Sequence, residues 1–277
     1  MIIYKKTFEN TKRANCNFPV EDQFYAGDYE AIIADGITRD PIGVSDFSTC
    51  SSQEFIDKYP KPSGSELAAK EICNTFAKVK GTLIEKLIKC NEITKELNNK
   101  YIPKCDYLEN DYYAAVASCI SIENNILNYA YIGDCGIIVY DKFGNIKMNT
   151  EDDKGVYSDP YIKKLGLKWN LPESRATIRR EYRNNLDNIQ DGKCVSYGAI
   201  TGEAAAVNFI KQGKLELEQG DRIVLYSDGF VNFLREQEFI SKILNFDNNE
   251  FENYVNEHSL IDNKKYGQEK TILLYRF

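Results

Sequence analysis

In 277 residues the sequence holds one histidine, one tryptophan and two methionines. The lone histidine, His258 in the polar stretch NEHSL, rules out His-x-x-x-His metal sites and leaves any Ser-His or Cys-His dyad a single position, which its polar surroundings disfavour. There is no Walker A loop, no Gly-x-Gly-x-x-Gly and no Cys-x-x-Cys, so the usual routes to kinase, dehydrogenase and triad-hydrolase chemistry are mostly closed. The eight cysteines (16, 50, 73, 90, 105, 119, 135, 194) lie 14 to 59 residues apart without the paired spacing zinc needs. Free thiols in a reducing compartment are the expectation. No run of five basic residues interrupts an acidic balance of 35 Lys+Arg against 42 Asp+Glu, net −7, which argues against nucleic acid as a partner. The start MIIYKKTFENTKR lacks a signal-peptide core. The longest mainly apolar run, Tyr112 to Ile122, is about half of what a membrane span needs. A cytoplasmic protein that engages no membrane is expected, and a monomer.

What is present is an ordinary globular composition, 43% hydrophobic and 28% charged. After a polar lead, Tyr29 to Asp35 alternates as a half-buried strand. Residues 43–64, rich in Ser, Asp and Pro, read as an inserted surface loop. Ser63-x-x-Glu66 has the capping-box pattern and opens a helix with Leu67, Ile72, Phe76 and Val79 on helical spacing; a second helix covers about Leu83 to Asn99. Beyond Pro103 the pattern changes to strands at Tyr112 to Ser121, Ile126 to Ile132 and Gly136 to Tyr140, expected as a meander. Residues 150–195 are polar with weak periodicity, a candidate flap whose arginines at 175, 179, 180 and 183 read as a solvated face or as a recruiter of an anionic substrate segment. A short helix from Glu203, a strand Arg222 to Ser227, helices Glu236 to Asn245 and Glu250 to His258, and a strand Thr271 to Arg276 complete an α+β pattern with antiparallel sheets, read as one domain over 1–277.

Acidic residues recur where these strands end, each beside a glycine or a short turn: Glu21-Asp22, Asp35-Gly36, Asp134 in IGDC and Asp228 in YSDG. Each alone is ordinary turn chemistry. Several carboxylates converging at one rim repel one another unless a divalent cation neutralises them, and oxygen-only ligands favour magnesium or manganese.

Taken in order, VEDQF (20–24), IIADG (32–36), YIGDC (131–135), YGAITGE (197–203), GDRIVLYSDG (220–229) and TILLY (271–275) resemble the metal-dependent type 2C (PPM) Ser/Thr protein phosphatases, from about residue 13 to the C-terminus. The resemblance implies a sandwich of two antiparallel sheets flanked by helix pairs, in four layers. It implies two Mg2+ or Mn2+ ions that bridge the water or hydroxide attacking a phosphoserine or phosphothreonine of a protein substrate. Glu21, Asp35 and the Gly36 carbonyl would hold one ion, Asp35 and Asp228 the other. Asp22 would orient water, and Asp134 would help hold a weaker third cation.

The sequence departs from that pattern at three places. The aspartate expected three residues before Thr271 is Gln268, with Glu269 beside it as a substitute ligand. The aspartate expected four residues after Asp228 is Asn232, and the phosphate-binding arginine is Asn17, with Arg13 or, preferred, Arg39 as replacement. The alternatives are a catalytically weak or inactive relative acting as a regulatory binding module, and a phosphatase of small phosphate esters.

Overall fold

The computed structural model describes residues 1–12, 19–37, 59, 61–108, 110–152, 154–169 and 171–277. Arg13, Asn17, Arg39 and most of the 43–64 loop lie outside them. Among the described residues, ten strands form two five-stranded antiparallel sheets. The first sheet has the order β1 (Ile2–Phe8), β12 (Lys270–Arg276), β11 (Arg222–Tyr226), β6 (Gly136–Tyr140), β7 (Ile146–Asn149). The second has β10 (Lys211–Glu216), β5 (Ile126–Ile132), β4 (Ala115–Glu123), β3 (Glu30–Gly36), β2 (Gln23–Ala26). A small hairpin, β8 (Ile189–Gln190) and β9 (Lys193–Cys194), stands apart.

The period-2 alternation of the strands explains the layering. Odd positions of β3, β6, β11 and β12 (Ala31, Ile33; Ile137, Val139; Ile223, Leu225; Leu273, Tyr275) meet in one buried cluster between the sheets. Even positions of β3 (Ile32, Ala34) turn outward under helices α1 (Gly64–Lys78) and α2 (Leu83–Tyr101), packing on Ile72, Phe76 and Leu87. Even positions of β6, β11 and β12 (Ile138, Val224, Ile272, Leu274) turn under α5 (Gln237–Leu244) and α6 (Asn248–Ile261), against Phe239, Phe251 and Val255. This is the four-layer α-β-β-α sandwich expected from the resemblance.

Four readings need correction. The polar lead is strand β1, paired with β12 from Ile2↔Tyr275 to Phe8↔Lys270. The meander is broken, because β4 and β5 pair while β6 pairs with β11 and β7, so the chain changes sheets at Gly133-Asp134-Cys135. Ser63 accepts the Glu66 N–H at 3.0 Å, but the reciprocal capping box is formed by Thr82 and Glu85 at the start of α2. The arginines are not a solvated face. Arg175, Arg179 and Arg183 are 4%, 5% and 3% exposed; only Arg180 among the four is solvated. They lie on and just after α4 (Pro172–Tyr182), where Arg179 and Arg183 both grip Asp111, at 2.9 and 2.7 Å. The charge pattern concealed this because Asp111 is some seventy residues away in the chain. The stretch from Lys154 to Tyr197 also carries a π-helical turn, α3 (Asp159–Lys164), and an apolar cluster of Ile162, Ile178, Tyr182, Val195 and Tyr197. No helix among the described residues is long and apolar enough to cross a membrane.

Candidate active site

Parity also decides where the acidic residues go. Asp35 continues the inward-facing series Ala31, Ile33 to the last turn of β3, so its carboxylate points into the seam between the sheets at one edge of the sandwich. Ser227 continues Ile223 and Leu225 in the same way, and Glu269 stands one step before Thr271, Leu273 and Tyr275 at the start of β12. Asp134 sits in the crossover between sheets and Asp228 just beyond β11.

Two glycines allow this convergence. Gly133 has φ +86°, and a Cβ there would lie 2.2 Å from Val116 Cγ1. A Cβ on Gly229 would lie 2.2 Å from the Glu269 carbonyl, so the Ser-Asp-Gly turn closes on β12 only with glycine at that place.

The cluster is tied together by specific bonds. Glu21 is buried and its Oε1 accepts the hydroxyls of Tyr59 and Ser63, both at 2.5 Å; Ser63 is also the N-cap of α1. The Gly36 N–H donates to the Glu21 carbonyl at 3.3 Å. Asp22, buried, accepts the Ser227 hydroxyl at 2.7 Å, and its backbone N–H donates to Glu269 Oε1 at 2.5 Å. The Thr271 N–H donates to Ser227 Oγ at 2.9 Å, joining β12 to the same network. Gln268 is exposed and offers its carbonyl to Lys270 Nζ at 2.8 Å, so of the two neighbours it is Glu269 whose carboxylate enters the site.

The electrostatics are those of a site with too much negative charge. Burial, then Asp22, Asp228, Asp134 and Glu269, hold the Asp35 carboxyl well above the usual carboxylate range. Burial and then Asp134 push Asp228 up to about 7, against the pull of Lys154. Burial and then Asp22 push Glu269 up to about 9. Burial raises Asp22 as well, although the Ser227 hydroxyl pulls it back down. Converging anions of this kind are the donor set that hard divalent cations neutralise, and Glu21, Asp35, the Gly36 carbonyl, Asp228 and Glu269 match such ions in charge and ligand type. Among the described residues no three acidic, cysteine or histidine side chains already stand as a finished metal-ligand set.

Asp134 Oδ2 pairs with the Lys154 ammonium at 3.1 Å, and the Asn232 amide donates to the Lys265 carbonyl at 3.0 Å. Lys154, Ser227, Tyr59 and Ser63 are site residues that sequence reasoning missed. Ser227 was within the YSDG motif, whereas nothing local marks Lys154. Arg39 lies outside the described residues. His258 takes no part: it stacks on Tyr254 with ring centroids 4.0 Å apart and packs beside Phe233 in the aromatic cluster under α5 and α6. The six described cysteines are free thiols.

No family model and no curated protein matches the sequence. Solved structures match over the whole chain. The serine/threonine phosphatase PstP/Ppp of Mycobacterium tuberculosis is 17% identical, with 99% of this chain and 98% of that chain covered at a TM-score of 0.56. The serine/threonine phosphatase of S. agalactiae is 18% identical, with 100% and 99% covered at 0.57. The catalytic domain of PstP in complex with 2 manganese ions is 17% identical, with 98% and 95% covered at 0.56. At these identities the likeness is one of architecture, and it is plain: this chain has the fold of the type 2C (PPM) serine/threonine phosphatases.

Proposed function

We infer that the protein is a metal-dependent phosphatase acting on phosphoserine or phosphothreonine. One observation carries the inference: Asp22, Asp35, Asp134, Asp228 and Glu269, drawn from five separate places in the chain, act on one another at a single edge of a sandwich with the fold of solved serine/threonine phosphatases. Two Mg2+ or Mn2+ ions held by Glu21, Asp35, the Gly36 carbonyl, Asp228 and Glu269 would supply an acidified water and offset the charge of the phosphate.

The chain's own residues would do the rest. Asp35, central to the cluster, would serve both ions. Asp22 lies behind it with its carboxylate fixed by Ser227 at 2.7 Å, suited to orienting the attacking water and holding its proton. Glu269, through the Asp22 N–H, would lock residues 21 and 22 onto β12. Tyr59 and Ser63 would hold Glu21 in one rotamer, so that its second oxygen is presented the same way at each turnover. The phosphate-binding arginine is proposed to be Arg39, and the substrate a phosphoprotein.

The test is release of phosphate from p-nitrophenyl phosphate and from a phosphothreonine peptide with Mn(II), with EDTA and Asp35→Asn as controls. Metal-dependent release from both, abolished by the substitution, is expected. Release from p-nitrophenyl phosphate alone would point to small phosphate esters, and no release from a folded protein would refute catalysis in favour of a binding module.

A further inference from the structure

The corner of the cluster formed by Asp134 differs from the rest. Glu21 and Asp22 are hydrogen-bonded by hydroxyls and Glu269 by a backbone N–H, whereas Asp134 is hydrogen-bonded by a full positive charge of the chain itself, the Lys154 ammonium at 3.1 Å. That ammonium also acts on Asp228. It is not a freely swinging surface lysine. Its Nζ lies 5.4 Å from the centre of the Trp169 ring, the Trp169 carbonyl is pinned by Arg175 at 2.7 Å, and Ser158, four residues on, is buried and donates to the Val195 carbonyl at 2.9 Å. The position where the resemblance expects a further aspartate is Asn232, whose amide donates to the Lys265 carbonyl. A dication placed on Asp134 would meet the Lys154 ammonium already at its carboxylate oxygen.

We propose that Lys154 supplies, as a tethered charge, the positive charge that a third divalent cation would bring to Asp134, so that the site takes two divalent cations and no more. The proposal rests on the metal-dependent reading above. It makes residues 154–169 part of the site: the lysine fixes Asp134, and Asp134 in turn fixes the lysine's segment against the acidic edge.

The test counts bound ions in the full chain, by calorimetric titration with Mn(II) and by the electron paramagnetic resonance signal of bound against free ion. Wild type is expected to bind two. Lys154→Met is expected to gain a weak third site by freeing Asp134, Lys154→Arg to keep two, and Lys154→Met combined with Asp134→Asn to return to two. Three ions on the wild type, or a count unchanged in folded Lys154→Met, would overturn the proposal while leaving the phosphatase reading standing. No bound Mn(II) in any form would remove that reading and the proposal with it. Should Lys154→Met fail to fold, the wild-type count and Asp134→Asn still decide: Asp134→Asn is expected to keep two ions, and loss of one from it would show that Asp134 is a ligand after all.

Discussion

Two groups of buried carboxylates in this protein are treated in opposite ways. Asp111, 2% exposed, is closed off by two guanidiniums, Arg179 on one oxygen at 2.9 Å and Arg183 on both at 2.7 and 3.1 Å. At the sandwich edge, burial raises the proton affinity of Asp22, Asp35, Asp228 and Glu269, neighbouring carboxylates raise it further at Asp35, Asp228 and Glu269, and a hydroxyl and an N–H group hold Asp22 and Glu269. The first arrangement is complete within the chain and anchors α4 to the body, since a buried ion pair tolerates little change in either partner. The second is left electrically open, which is costly for folding and useful only if cations complete it.

Removing a carboxylate should therefore have opposite consequences at the two places. Asp35→Asn is expected to lower phosphatase turnover with Mn(II) roughly ten-thousand-fold, about 5 kcal/mol of barrier, while thermal unfolding in EDTA stays level or rises because one repelling charge is gone. A drop in stability comparable to the loss of activity would show that Asp35 is a structural acid and the edge is not open. Asp111→Ala is expected to do the reverse: about 3 to 5 kcal/mol less stability in urea unfolding, because two guanidiniums lose their buried partner, with turnover of the surviving folded fraction little changed. An Asp111→Ala protein as stable as wild type would remove the contrast.

How much of this could be read from sequence follows the same division. Every strand in the middle of a sheet (β3, β4, β5, β6, β11, β12) was legible, because both faces are covered and the apolar pattern is strong. The four strands at sheet edges (β1, β2, β7, β10) were not. Lys5 and Lys6 in β1, and Lys211, Gln212 and Lys214 in β10, face water or the edge and give a polar signature to segments whose backbone pairs fully on one side. In the site, acids beside glycines were visible because the turn requires both. Tyr59 and Lys154 were not, since a hydroxyl or ammonium that meets a carboxylate across the fold leaves no local trace, and Ser227, although inside the YSDG motif, gave no sign that its partner is Asp22. Asp111 with Arg179 and Arg183 failed for the same reason, and there the charge pattern suggested solvent.

Within the open cluster the hydroxyl bonds should matter less than an ion-pair partner does. Ser227→Ala removes the donor to Asp22 and the acceptor of the Thr271 N–H together. A loss of about 1 to 3 kcal/mol is expected in urea unfolding, with about tenfold lower turnover through a less well held Asp22. Turnover equal to wild type would show that Asp22 needs no orientation from β11.

A half-exposed pair supplies the lower bound of the comparison. Glu252 on α6 accepts from the Lys6 ammonium of β1 and, at 3.0 Å, from the Tyr4 hydroxyl, with side-chain exposures of 35% for Lys6 and 26% for Glu252. The Lys6 hydrogen bond, aided by Tyr4, holds the Glu252 carboxyl below its ordinary value. A folded-state value below the unfolded one adds stability above the unfolded carboxylate range, and this is lost as pH falls through the folded value. Glu252→Gln should therefore lower Tm at pH 7 by an amount worth less than about 1 kcal/mol, and the two Tm curves should converge as pH falls below about 4. Raising salt at pH 7 should narrow the gap as well, since water screens this pair and not the one at Asp111. Curves that stay parallel down to pH 3 would mean that the glutamate stabilises α6 by packing rather than by charge.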